Sequence, residues 1–120
     1  MHTMKKEDDF KRIQDTGVVA VIRASDPSEL VEVISAIERG GVKAIEITMT
    51  VPGALDVMKE VRNKLGDKVL IGAGTIIDAI TARLSIIAGA DFIVSPVFKQ
   101  EIMTVCKQYS KICIPGAFTP

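Results

Sequence analysis

Five short apolar runs recur along the chain, and their spacing limits the possible folds more than any other feature. They are VVAVIRA (18–24), AIEITM (44–49), VLIGAGT (69–75), FIVSPV (92–97) and ICIPGA (112–117), each of strand length and nearly continuous in apolar character. Between them lie segments of helical period: DPSELVEVISAIER (26–39), PGALDVMKEVRNKL (52–65), DAITARLSIIA (78–88) and KQEIMTVCKQY (99–109). In the first of these, Leu30, Val33, Ile34 and Ile37 follow the i, i+3, i+4, i+7 spacing of one buried helix face. Pro27 and Pro52 suit a first helical turn, with Ser25 or Asp26 as a cap, and Gly40-Gly41, Gly66 and Gly89 suit left-handed helix ends. Strand and helix alternating over short connections predict right-handed crossovers and a parallel sheet, an α/β architecture.

Two parallel arrangements fit that alternation, an open doubly wound sheet and part of a (β/α)8 TIM barrel. The pattern inside the strands favours the barrel. In AIEITM the side chains of Ala44, Glu46 and Thr48 share one face, and Ile45, Ile47 and Met49 share the other. A sheet covered by helices on both sides needs apolar residues on both faces. A barrel strand shows its aliphatic face to the helices and can carry polar groups inside, near its C-terminal end. With 48% hydrophobic residues in 120, the chain has material for one core and no composition break. Residues 1–16 are expected to form an N-terminal helix or tail and residues 17–120 a partial barrel domain.

Charge and composition narrow the partners. Lys plus Arg and Asp plus Glu each number 15, so there is no basic footprint for nucleic acid or an anionic membrane. Aromatics are 4% with no Trp, which leaves no platform for stacked bases. The expected partner is a small molecule or another protein. Cys106 and Cys113 lack metal-type spacing and read as small buried hydrophobes, while the single histidine, His2, falls in an expected unstructured terminus, so no metal is expected. The opening MHTMKKEDDF lacks a signal-peptide core and no run has the length of a membrane span, which predicts a cytoplasmic protein.

Glu46 is the residue that breaks the strand pattern. A carboxylate taken out of water costs several kcal/mol or more, so it needs a partner, access to water or a proton. Burial among aliphatics raises its pKa toward the range useful for a general base. Arg23, on the same face as Val19 and Val21, extends toward one rim of the sheet, where Thr75 and Ser95-Pro96 also fall. A structural Glu46–Arg23 ion pair is the bland alternative. The IGAGT turn lacks the full dinucleotide fingerprint, so no nicotinamide cofactor is expected. Lys99 is the one amine near this rim, more simply a solvated residue in a first helical turn. Pro115-Gly116 ends the fifth run and reads equally as a pocket floor or a plain turn.

Taken in order, VVAVIRA, GGVKAIEITMTVPGAL, IGAGT, GADFIVSP and IPGAFTP resemble the 2-keto-3-deoxy-6-phosphogluconate (KDPG) aldolase / 4-hydroxy-2-oxoglutarate (KHG) aldolase family over about residues 17–120. That resemblance implies the N-terminal part of a class I, Schiff-base-forming barrel enzyme that cleaves a keto acid to pyruvate and an aldehyde, without cofactor or metal, as a homotrimer. Glu46 matches the family's acid/base glutamate. Thr75 and the backbone around Pro96 match the pyruvate pocket, Thr50 stands where some members carry a carboxylate-binding arginine, and Arg23 matches an arginine of many members. The imine-forming lysine and the phosphate site of the family lie on strand six and after strands seven and eight, beyond Pro120. These residues by themselves are therefore expected to be inactive. A noncatalytic half-barrel assembly module and another phosphate-handling barrel enzyme are the alternatives.

Overall fold

A computed structural model describes residues 2–120, with side chains from Lys5 onward. Helix α1 (His2–Thr16) leads into β1 (Val19–Ile22), α2 (Leu30–Arg39), β2 (Ala44–Thr48), α3 (Ala54–Leu65), β3 (Leu70–Gly74), α4 (Ala79–Ile87), β4 (Phe92–Ser95), α5 (Gln100–Gln108) and β5 (Ile112–Pro115). All strands are parallel and lie in chain order, each beside its sequence neighbour. A doubly wound sheet reverses order at a switch point, whereas a barrel does not. The β1-β2-β3-β4-β5 order is thus the singly wound order of a barrel wall, open at β1 and β5.

The two sheet faces have separate cores. On the outer face Ile45, Ile47, Ile71, Ala73 and Ile93 pack with Leu30, Val31 and Ile34 of α2, Val57, Met58 and Val61 of α3, Ile86 of α4 and Ile102 of α5. On the inner face Ala44, Leu70, Phe92 and Ile112 form a smaller cluster with Val19, Val94 and Ile13 of α1. Helix α1 covers the inner cluster at its N-terminal end. It is tied there by Arg12, whose guanidinium donates to the Asp67 carbonyl at 2.8 Å, and by Thr16, whose hydroxyl accepts from the Lys43 N–H. The helix begins at His2, where an unstructured terminus was expected; the His2 side chain lies outside the described ones.

Several boundaries differ from the sequence pattern, with consequences for the site. The strands stop at Ile22, Thr48, Gly74, Ser95 and Pro115, so Arg23, Thr50, Thr75 and Pro96 lie just past the last paired residues, in the connecting loops. The segment expected to start the second helix at Asp26 is a 3-10 turn, Pro27–Glu29, capped by Asp26 Oδ1, which accepts from Ser28 N–H at 2.9 Å. Pro52 sits in a turn before α3 rather than in its first turn. On α2 the buried row is Leu30, Val31 and Ile34, while Val33 is 43% exposed, because the helix meets the sheet about one residue round from the simplest register. Gly41, Gly66 and Gly89 take positive φ as expected, but Gly40 keeps a helical φ of −73°, so the turn after α2 comes one residue later.

At the N-terminal end of the sheet a polar network crosses the apolar interior. Asp91 pairs with Arg62 and, at 3.6 Å, with Lys5 Nζ, and it accepts from the Ile71 N–H at 3.0 Å. Lys5 also bridges to the buried Asp9 at 3.2 Å. Cys106 and Cys113 are free thiols in contact between α5 and β5, and burial pushes Cys106 up to about 12, which keeps it an unreactive thiol. None of the described helices is long and apolar enough to cross a membrane.

Candidate active site

Strand β2 points Glu46 into the inner face because of the two-residue period that sends Ile45 and Ile47 outward. Space for it is made by the neighbouring strand. A Cβ on Gly72 would overlap the Phe92 ring, and one on Gly74 would overlap Glu46 Oε1, with Glu46 Cδ 2.7 Å away. The two glycines of IGAGT therefore serve different neighbours. Gly72 admits the ring that fills the inner cluster, and Gly74 seats the carboxylate at the C-terminal mouth. The glycine spacing was visible in the sequence, but the partner that needs each glycine was not.

Among the described residues Glu46 has no ion pair within 4 Å and no hydrogen bond, so the structural pair with Arg23 is not formed. Arg23 is exposed, in the loop after β1. Desolvation holds the Glu46 carboxyl above its ordinary 4.5, and the Arg23 charge pulls more weakly the other way. The acid thus meets the cost of burial by a raised pKa and by access to the open mouth. Because its proton is held more tightly folded than unfolded, this contribution to stability is complete below pH 4.5 and is lost as pH rises through the folded pKa. Glu46→Gln is expected to melt higher than the parent at pH 7, the gap closing below pH 4.5; equal melting curves at both pH values would count against a desolvated carboxylate.

The other candidates surround this mouth in different ways. Thr75, directly after β3, is half-buried at φ 58°, a left-handed conformation uncommon for a β-branched residue and worth of order 1–3 kcal/mol of strain. Such strain persists where the surroundings hold the residue in place, often at a ligand site. Thr50 is exposed, and its hydroxyl lies 2.7 Å from that of the buried Thr48, so the two form one hydroxyl pair at the end of β2. Pro96 is exposed, and its carbonyl carbon and oxygen abut Gly116, where a Cβ would come within 2.6 Å of the oxygen. Gly116 N–H donates to the Ser95 carbonyl at 2.7 Å, so the PG pair closes the rim between β4 and β5. Lys99 Nζ donates to the Ile77 carbonyl at 2.8 Å, tying two loops together outside the mouth. A groove of about 950 Å³ between α1, α5 and β5 lies at the open sheet edge and includes none of the candidate residues.

Gly74→Ala follows from this geometry. Its expected effect is a fall of about 10²-fold in any turnover that uses Glu46, the usual cost of misplacing a reacting group by about 1 Å. The melting temperature should move little, since the clash is with the end of a flexible side chain. Unchanged activity in the variant would mean that Gly74 does not set the carboxylate.

A singly wound β/α sheet with an unpaired carboxylate at the C-terminal mouth defines a barrel-type protein with its polar site where such enzymes carry theirs. A sequence model described as "KDPG and KHG aldolase" matches residues 10–120, and the chain belongs to that family. It is 29% identical over 107 residues to a 2-dehydro-3-deoxy-phosphogluconate aldolase of Treponema pallidum, covering 89% of this chain and 50% of the relative. The fold matches the KDPG aldolase of Legionella pneumophila, a structure with pyruvate captured as a covalent carbinolamine intermediate, at TM-score 0.77 and 28% identity over 84% of this chain and 48% of that one. It also matches a cube-shaped protein cage designed by fusing symmetric oligomeric domains, at TM-score 0.78 and 28% identity, over 84% of this chain and 37% of that one. The chain spans about half the length of the curated relatives it matches.

Proposed function

We propose that these residues form the N-terminal part of a class I aldolase that cleaves a 2-keto-3-deoxy (phospho)sugar acid or 4-hydroxy-2-oxoglutarate, reversibly, to pyruvate and an aldehyde. The observation that carries this reading is the partially desolvated Glu46 carboxylate, seated over Gly74 and unpaired at the mouth. Cleaving the C3–C4 bond beside a carbinol needs an electron sink and a proton carrier. A lysine imine at C2, supplied from outside these 120 residues, is the sink. As the Glu46 carboxylate takes the proton of the C4 hydroxyl, the C3–C4 electron pair moves into a C2–C3 double bond, the imine C=N pair moves onto nitrogen to leave an enamine, and the aldehyde leaves. Glu46 then gives a proton to C3, and hydrolysis of the imine releases pyruvate and the lysine. A raised pKa suits that role, since the group must both hold and release a proton near neutrality.

The keto-acid carboxylate is held at the rim by Thr75, the backbone around Pro96, Thr50 and Arg23, the last supplying positive charge where Thr50 has none. No metal or cofactor takes part. The protein acts in the cytoplasm as a homo-oligomer, a trimer by family resemblance, and the use of a related domain as a symmetric oligomer in the designed cage supports association of like copies.

Intact mass spectrometry of the natively expressed protein, after pyruvate and borohydride, tests the reading. The expected result is a reduced pyruvate adduct on a lysine of a partner segment or chain. An adduct on Lys99 would reassign the nucleophile, and no adduct in any species containing these residues would overturn the aldolase reading in favour of a noncatalytic assembly module.

A further inference from the structure

Thr48, the last residue of β2, is a fully buried polar side chain with no part in the chemistry proposed above. It lies on the same strand face as Glu46, one period nearer the mouth, and its partner in the sheet is Gly74, the residue over which Glu46 sits. The Thr48 carbonyl accepts from the Val51 N–H at 3.0 Å, which closes a turn, and Val51, itself buried, anchors that turn in the outer core. The turn brings Thr50 back over the strand end, where the two hydroxyls meet at 2.7 Å. Among the described residues this is the only side-chain hydrogen bond that either threonine makes.

Burial decides which oxygen donates. A hydroxyl carries one proton and two acceptor sites. If Thr50 donated, the Thr48 proton would be enclosed with no acceptor, and a buried donor without a partner is both rare and costly. If Thr48 donates, its one proton is used, and the proton of the exposed Thr50 is left for whatever enters the mouth. That direction matters because a threonine has no charge of its own. Its proton attracts a carboxylate, whereas its lone pairs repel one. The bond received from Thr48 also polarises the Thr50 hydroxyl and strengthens the bond it gives.

We propose that Thr48 is a positioning residue for keto-acid binding, its buried hydroxyl donating to Thr50 so that the Thr50 proton faces the substrate carboxylate. The inference rests on the aldolase reading above and deepens its account of the rim. Thr48 does not touch the substrate. Valine at this position keeps the shape and removes the donor, and the Thr50 hydroxyl is then free to turn its lone pairs outward.

Steady-state kinetics of the natively expressed active assembly test it, with 4-hydroxy-2-oxoglutarate and 2-keto-3-deoxy-6-phosphogluconate as substrates and pyruvate as product inhibitor. The variants are Thr48→Val, Thr50→Val, the two combined, and Thr48→Ser, each with a melting curve. Thr48→Val is expected to raise KM and the pyruvate inhibition constant about tenfold, the scale of one hydrogen bond to a charged group, with kcat within about threefold of the parent. The combined variant should lose no more than Thr50→Val alone, since the two residues act through one proton. Thr48→Ser, which restores the donor, should stay within about twofold of the parent. Should Thr48→Val not fold, Thr48→Cys, a weak donor, takes its place with the same expectations. A parent-like KM in the folded variant, losses at 48 and 50 that multiply independently, or a Thr48→Ser variant as impaired as Thr48→Val each overturn the positioning role and leave the aldolase standing. A parent that cleaves neither substrate and forms no pyruvate adduct overturns the aldolase reading and this inference with it.

Discussion

Glu46→Gln is expected to lower aldol turnover of the active assembly containing these residues by about 10²–10⁴-fold, the usual contribution of a positioned acid or base. Glutamine has the same shape and would still fit over Gly74, where any Cβ would overlap the side chain it seats. The substitution therefore removes proton transfer while keeping the pocket, so KM should change much less than kcat. The gain in thermal stability expected for the same variant at pH 7 separates lost chemistry from lost folding. A Glu46→Gln assembly that keeps turnover within threefold of the parent would assign proton transfer to another group.

The second large effect is on folding. Asp91 is 4% exposed and links three elements through Arg62 of α3, Lys5 of α1 and the Ile71 N–H of β3. Arg62 is itself only 24% exposed and also donates to the Gly66 carbonyl at 2.7 Å and the Gly89 carbonyl at 2.8 Å. Asp91→Ala leaves the guanidinium without its buried counter-charge and the Ile71 N–H without its acceptor, and the expected loss is about 3–5 kcal/mol, as for breaking one side of a buried pair. Against the ~5–15 kcal/mol that holds a domain together, that is enough to abolish a cooperative transition in a small domain. Asp91→Asn keeps an oxygen for the Ile71 N–H and isolates the charge. Urea unfolding checks both, and a loss under ~1 kcal/mol in Asp91→Ala would mean that the network is not a folding determinant. Its position fits the division of labour in such barrels, stability at the N-terminal end and chemistry at the C-terminal end.

Much of the architecture was legible because strand and helix periods are local. The five apolar runs identified the five strands, and the polar inner face of AIEITM identified the barrel type before any contact was known. Glu46 stood out because a carboxylate inside an aliphatic strand violates a local pattern. The strand ends were less legible. Arg23, Thr75 and Pro96 read as strand residues by composition, yet the ladders end before them. Pairing stops where the neighbouring strand stops, and a single run does not carry that information. Val33 shows the same limit on α2, since its exposure depends on how the helix lies over the sheet.

The sequence by itself determined the element order, the parallel α/β class and the one acid that does not belong in a strand, since each follows from side-chain period and the cost of burying charge. Only the tertiary structure decided that Glu46 sits over Gly74 without an Arg23 partner and that Asp91 joins α1, α3 and β3. Each of these depends on residues from different strands and helices meeting in space, and chain neighbours do not encode such a meeting.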